Sequence, residues 1–154
     1  MTESNTPLES PELPATGGRE RSLQSFRGAP LVIYFYPRDN TPGCTKEGQA
    51  FRDLYGDFRS LGAQIVGVSR DSLKTHENFK TKQEFPFDLI ADTDETLCRL
   101  FDVIKEKNMY GRKVQGIERS TFLLDSDGRL AREWRKVKVP GHAEEVLEAV
   151  RELN

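Results

Sequence analysis

The chain has 154 residues, with 23 basic and 25 acidic side chains for a formal charge of −2, two cysteines and two histidines. Its length suits one domain, its near-neutral charge argues against nucleic-acid binding driven by phosphate contacts, and two cysteines can neither staple a disulfide scaffold nor fill a four-cysteine metal site. The longest apolar run, Leu31-Val32-Ile33-Tyr34-Phe35-Tyr36, falls far short of the ~20 residues that span a bilayer, and Met1–Pro7 shows neither the basic start nor the apolar stretch of a signal peptide, so a cytoplasmic protein with reduced thiols is expected.

Residues 1–18 are rich in Pro, Ser, Thr, Glu and Gly and are expected to form a loosely ordered lead-in with a short strand or hairpin, Gly17-Gly18 marking a turn, ahead of a domain over 19–154. Leu31–Tyr36, bounded by Pro30 and Pro37, reads as a central strand buried on both faces. Pro37 to Gly43 must be loop. Beyond it Ala50, Phe51, Leu54, Tyr55, Phe58 and Leu61 recur at helical spacing, which predicts an amphipathic helix beginning at or near Cys44 and ended by Gly62. Ala63–Ser69 predicts a second buried strand, and Asp71 or Ser72 can cap a helix carrying Leu73, His76, Phe79 and Lys80. A short strand follows around Phe87–Ala91, then a helix from Asp94 through Leu97, Cys98, Leu100 and Phe101. Residues 119–124 and 129–136 flank Asp125-Ser126-Asp127-Gly128 as a hairpin, and a helix from about His142 to Leu153 closes the chain. This order predicts an α/β fold with a mixed sheet and helices on both faces, thioredoxin-like in layout, although a flavodoxin-like sheet would share its first half.

The chemistry concentrates in Pro37-Arg38-Asp39-Asn40-Thr41-Pro42-Gly43-Cys44. Cys44 stands where a rigid loop becomes the first turn of a helix, so unpaired N–H groups and the positive end of the helix dipole favour a thiolate there. Thr41, three residues earlier, can turn its hydroxyl toward the sulfur. The alternative is a small core-packing cysteine. Cys98, in the middle of Leu97-Cys98-Arg99-Leu100-Phe101, reads as buried and structural. The two lie 54 residues apart, which makes neither a C-x-x-C redox pair nor a zinc knuckle. Arg119 would be ordinary solvation if it points out from an edge and a fixed guanidinium for an anion if it points in, and spacing does not choose. His76 and His142 have no metal-ligand setting; a surface helix and a helix start explain them. No G-x-G-x-x-G or GK[ST] loop occurs, and Asp125–Gly128 lacks the closing glutamate of a calcium loop, so no cofactor and no metal are expected.

Pro37-x-x-x-Thr41-x-x-Cys44 matches the peroxiredoxin signature. The fuller run Tyr34–Thr45, with Gly67–Ser72, Phe101–Val103, Lys105–Gly111 and Gly116–Phe122, resembles the Q-type peroxiredoxins, or bacterioferritin-comigratory proteins, over about residues 20–152. The resemblance implies a peroxiredoxin variant of the thioredoxin-like fold and thiol-dependent reduction of hydrogen peroxide and organic hydroperoxides. It maps Cys44 as peroxidatic nucleophile, Thr41 as hydroxyl partner, Pro37 as shield and Arg119 as the guanidinium, in a protein expected to be monomeric.

Two departures bear on mechanism. Many members carry a resolving cysteine five residues after the peroxidatic one, where this chain has Gln49; others carry it in the segment matching Asn78-Phe79-Lys80, where this chain has Lys80. Cys98 aligns with a family cysteine not regarded as the resolving one. The expectation is a one-cysteine mechanism in which an external thiol (thioredoxin, glutathione with glutaredoxin, or another low-molecular-weight thiol) attacks the Cys44 sulfenic acid. The alternatives are a peroxide sensor or redox relay, a thioredoxin-fold binding module, and a two-cysteine peroxidase in which local unfolding lets Cys98 reach Cys44.

Overall fold

The computed structural model describes residues 6–153. In chain order the strands are β1 (Leu13–Ala15), β2 (Arg19–Arg21), β3 (Leu31–Phe35), β4 (Gln64–Ser69), β5 (Asp88–Ala91), β6 (Ile104–Met109), β7 (Arg112–Ile117), β8 (Ser120–Leu124) and β9 (Leu130–Trp134). The helices are α1 (Pro42–Asp53), α2 (Tyr55–Ser60), α3 (Leu73–Gln83), α4 (Thr96–Leu100) and α5 (His142–Leu153). Seven strands make one mixed sheet in the order β2-β1-β5-β4-β3-β8-β9. β3, β4 and β5 run parallel, and β8 is antiparallel to β3 and to β9.

β3 is apolar and buried at every position because both sides of the sheet are covered. Leu31, Ile33 and Phe35 enter one hydrophobic cluster with Leu97, Cys98, Phe101 and Phe122. Val32 and Tyr34 enter the other, with Cys44, Phe51, Phe58 and Val146. This is the period-two alternation of a strand, and it divides the core into two halves.

The single helix expected over 45–61 is two. Leu54, at φ −99° and ψ 3°, interrupts it, and Gly56, a weak helix former, is the second residue of the second piece. Ser72 caps α3, its hydroxyl accepting from the Thr75 N–H at 3.2 Å. The expected lead-in is built into the sheet as far as the described residues reach. β1 pairs with β2 across Gly17-Gly18, both at positive φ, and with β5 through Ala15 and Ile90. Leu8 and Ala15 are buried, so the boundary expected at 18/19 falls inside a hairpin; residues 1–5 lie outside the described residues.

Residues 104–117, which periodicity left unassigned, form a separate two-stranded hairpin, β6–β7. Its turn residues Tyr110 and Gly111 are both at positive φ (54° and 76°), as a two-residue type I′ turn requires. Most of its side chains are polar or exposed, so the apolar alternation that marks a strand is missing. Among the described residues no helix is long and apolar enough to cross a membrane.

Candidate active site

The site forms at the end of β3. Tyr36 leads into the loop, Thr41 is the extended N-cap of α1, and Pro42 takes the first helical position, where a missing N–H does no harm. The first intrahelical bond runs from the Thr45 N–H to the Thr41 carbonyl at 2.9 Å. The N–H groups of Gly43 and Cys44 therefore precede the helical ladder, at the positive end of its dipole.

Antiparallel pairing sets Ser120 of β8 opposite Phe35, which brings Arg119 to the same end of the sheet. It points in. Nη2 lies 3.5 Å from Cys44 Sγ, and Nη1 lies 2.7 Å from Glu47 Oε1. Gly43 makes room, since a Cβ there would stand 3.1 Å from Nη2. Burial works against the Arg119 charge, but Glu47 and Cys44 more than offset it and hold its pKa above the ordinary value.

Glu47 is the residue that motif reading passed over. It is 1% exposed, one turn after Cys44 on the buried face of α1, and burial pushes its carboxyl up to about 7 against the pull of Arg119. Its other oxygen, Oε2, and the Tyr34 hydroxyl are buried without a hydrogen-bond partner among the described residues. An acid at i+3 from Cys44, within the stripe that continues to Phe51, was the available signal.

The Thr41 hydroxyl does not meet the sulfur; it donates to the Arg38 carbonyl at 2.8 Å. An extended N-cap turns it back over its own loop. Pro37 and Thr41 line a cleft of about 470 Å³ whose other wall is the β6–β7 hairpin, with Lys107, Met109 and Val114. Lys107 donates to the Ile117 carbonyl at 2.7 Å, and burial, with the nearby Arg119 and Arg70 charges, lowers its pKa.

His76 is not on a surface. It is 0% exposed, with Nδ1 2.6 Å from Asp39 Oδ2 and Nε2 2.9 Å from the Ile90 carbonyl. The Tyr36 hydroxyl donates to Asp39 Oδ1 at 2.6 Å, and the Asp39 N–H donates to Asp71 Oδ2 at 2.9 Å. Asp39, Asp71 and His76 come close enough to suggest metal ligands, yet these hydrogen bonds already engage their facing atoms. The loop before Cys44 is thus tied to α3 from beneath. His142 does begin α5, as expected, but it is buried, with Nε2 2.8 Å from the Thr121 hydroxyl.

Cys98 is 0% exposed and belongs to the cluster on the opposite face of β3 from Cys44. Its N–H donates to Asp92 Oδ2 at 2.8 Å, and burial together with the Asp92 charge pushes its thiol far above the ordinary range. Both cysteines are free.

A thioredoxin-like sheet that aims a fixed guanidinium at a cysteine in the first turn of a helix defines a protein of thiol redox chemistry. The AhpC/TSA family model matches residues 5–133, and the chain belongs to that family, among its Q-type, or Bcp, peroxiredoxins. The peroxiredoxin Bcp of Xanthomonas campestris pv. campestris is 58% identical over 139 residues, covering 90% of this chain and 87% of the relative. That of Bacillus subtilis is 46% identical over 143 residues, covering 93% and 91%. The solved X. campestris peroxiredoxin Q superposes with a TM-score of 0.88 at 57% identity, covering 92% of this chain and 89% of that one. Further X. campestris structures concern its alkyl peroxide reduction and serine replacements at two cysteines 36 positions apart. The residue 36 positions after Cys44 is Lys80. The activity that follows from family and relatives is thiol-dependent peroxide reduction.

Proposed function

We propose that the protein is a one-cysteine hydroperoxide reductase in which Cys44 is the peroxidatic nucleophile and an external thiol completes the cycle. The observation that carries this reading is the placement of Cys44 and Cys98 on opposite faces of β3. A disulfide needs Cα atoms within ~7 Å, so joining them would require dismantling the core between them. Cys98 is also held as a neutral thiol, a poor nucleophile.

In the first step the Cys44 thiolate attacks the terminal oxygen of ROOH. The S–O bond forms, the O–O bond breaks, sulfur is oxidised to the sulfenic acid, and the leaving RO⁻ takes a proton to become water or an alcohol. Charge moves from sulfur to the leaving oxygen. Arg119, with Nη2 at 3.5 Å from Sγ, and the N–H groups of Gly43 and Cys44 stabilise it along that path. Pro37 shields the sulfur from water. Thr41 contributes by rotating its hydroxyl from the Arg38 carbonyl toward the bound peroxide. In the second step an external thiol attacks the sulfenic acid, forming a mixed disulfide and water, and a second thiol releases Cys44. Hydrogen peroxide and organic hydroperoxides are the substrates, the latter supported by the alkyl peroxide reduction of the X. campestris relative. Thioredoxin or glutathione with glutaredoxin is the reductant, and the working protein is a cytoplasmic monomer.

Intact-mass and peptide analysis after peroxide treatment tests the reading. It expects a sulfenic or sulfinic acid on Cys44 and, in Cys98→Ser, retained NADPH-coupled turnover; Cys44→Ser should consume no peroxide. An intramolecular Cys44–Cys98 disulfide would refute the one-cysteine cycle. Failure of every reductant to sustain more than one turnover would leave a peroxide sensor in place of an enzyme.

A further inference from the structure

The β1–β2 hairpin, α2 and α3 enclose a second cavity, of about 260 Å³, with a charge pattern that peroxide reduction does not use. Arg19, Arg21, Arg59 and Lys80 line it, with Asp88 the single carboxylate among its lining residues. In a chain of formal charge −2, four cations around one anion invert the local sign.

Asp88 does not exhaust these donors. Its Oδ1 accepts from Lys80 Nζ at 2.7 Å and from the Thr16 hydroxyl at 3.0 Å. Arg19 Nη1 and Arg21 Nη1 stand 3.6 and 3.9 Å from Oδ2, near enough to feel the charge and too far for hydrogen bonds. Arg21 is held in place by its Nε–H donating to the Ser25 hydroxyl at 3.2 Å and by its guanidinium lying 3.9 Å over the Phe26 ring. Arg59 has no carboxylate partner among the described residues. Three guanidinium groups from two elements therefore line one concavity, with Tyr55 beside them.

We propose that this cavity binds a small phosphate-type oxyanion: inorganic phosphate, pyrophosphate or a phosphomonoester. Guanidinium forks match tetrahedral phosphate oxygens two at a time, and a multiply charged anion relieves the mutual repulsion of the cations. The volume lies below the ~300–1,000 Å³ of sites for drug-sized ligands, which favours the bare oxyanion over a large ester. Lys80, the residue 36 positions after Cys44, is one wall of the site. A bound oxyanion would thus brace α3 against the hairpin and α2, and its affinity does not depend on whether Cys44 turns over peroxide.

Calorimetric titration of the full chain with phosphate, pyrophosphate and glycerol 2-phosphate, at constant ionic strength, tests this. The expected result is saturable one-to-one binding, tightest for the preferred source, with a thermal midpoint that goes on rising with the logarithm of ligand concentration beyond saturation. The Arg19→Ser/Arg59→Ser double variant, altered at two exposed side chains, should bind about tenfold or more weakly while unfolding at the unliganded wild-type midpoint. Lys113→Ser/Arg151→Ser, which removes two exposed cations that do not line the cavity, should bind as wild type does. Lack of saturation at millimolar concentration, or undiminished binding by the double variant, would each overturn the proposal.

Discussion

Arg119 reaches Glu47 across the core, Nη1 to Oε1 at 2.7 Å, while its other terminal nitrogen faces the Cys44 sulfur at 3.5 Å. One planar group thus links a buried carboxyl to the Cys44 sulfur, and Glu47 sets where the guanidinium stands. Glu47→Gln keeps the shape and removes the charge. Charge-assisted hydrogen bonds are roughly twice as strong as neutral ones, so about 1–1.5 kcal/mol of positioning is lost. The expected result, at a pH above 7 where the Glu47 carboxyl is ionised, is about tenfold slower oxidation of Cys44 in single-turnover experiments. A rate within twofold of wild type would mean that Arg119 holds its place without Glu47.

The same carboxyl shapes the dependence of stability on pH. Burial raises its folded pKa to about 7 from an ordinary 4.5, so the native state binds its proton more tightly than the unfolded chain does. Its contribution is complete below about 4.5 and falls as pH rises through 7, a loss of about 3 kcal/mol. Denaturant unfolding at successive pH values should show Glu47→Gln gaining stability relative to wild type across that window. Parallel profiles would show that the carboxyl titrates as it does in water.

His142 acts in the opposite sense. Burial lowers its pKa to about 4, with Arg119 adding to the effect and Glu145 opposing it. Its contribution is present above the unfolded value of 6.5 and is lost as pH falls through about 4. The two effects offset one another between pH 4.5 and 6.5 in wild type. His142→Gln, left with the Glu47 effect alone, should therefore gain stability relative to wild type as pH falls through that window, by about 2 kcal/mol after allowance for solvent screening. A difference profile without slope between pH 4 and 6.5 would exclude this role.

His76→Leu should destabilise the fold by about 3 kcal/mol, because Asp39 is left buried with the Tyr36 hydroxyl as its one remaining side-chain partner among the described residues. The double variant His76→Leu/Asp39→Leu removes the stranded charge, so it should recover part of the loss in urea unfolding. A double variant worse than the sum of the singles would show that the pair does not act through paired charge and hydrogen bonding.

What sequence made legible was local. β3 announces itself through an unbroken apolar run, the helix start near Cys44 through Pro42 and the loop before it, and the α3 cap through Ser72. The features that complete the site are partnerships between distant residues. Glu47 and Arg119 are 72 positions apart, and Asp39 and His76 are 37 apart. A histidine on a helix gives no sign that an aspartate from another loop will bury it. The inward turn of Arg119 follows from β8 pairing antiparallel with β3, a register that hydrophobic alternation does not encode for the residue before the strand. The β6–β7 hairpin escaped because its polar strands lack a buried face, although its Tyr110-Gly111 turn has the backbone that such turns demand.

Lys80 offers a gain-of-function test of the one-cysteine reading. It stands 36 residues after Cys44, the spacing between the two cysteines replaced in the X. campestris protein, and here its ammonium is 2.7 Å from Asp88 Oδ1. Lys80→Cys removes that surface pair at a cost of about 1 kcal/mol or less. It places a thiol on α3, in the same half of the core boundary as Cys44, without the sheet between them. After peroxide treatment the new thiol should attack the Cys44 sulfenic acid, releasing water and forming an intramolecular disulfide. That step requires the start of α1 and the end of α3 to open locally, since the two Cα atoms must come within ~7 Å. Peptide mapping under non-reducing conditions should find this disulfide in place of the over-oxidised Cys44 of wild type. If the variant gives the same Cys44 oxidation products as wild type, α3 is too firmly packed to deliver a resolving thiol, and adding a second cysteine does not create a two-cysteine cycle.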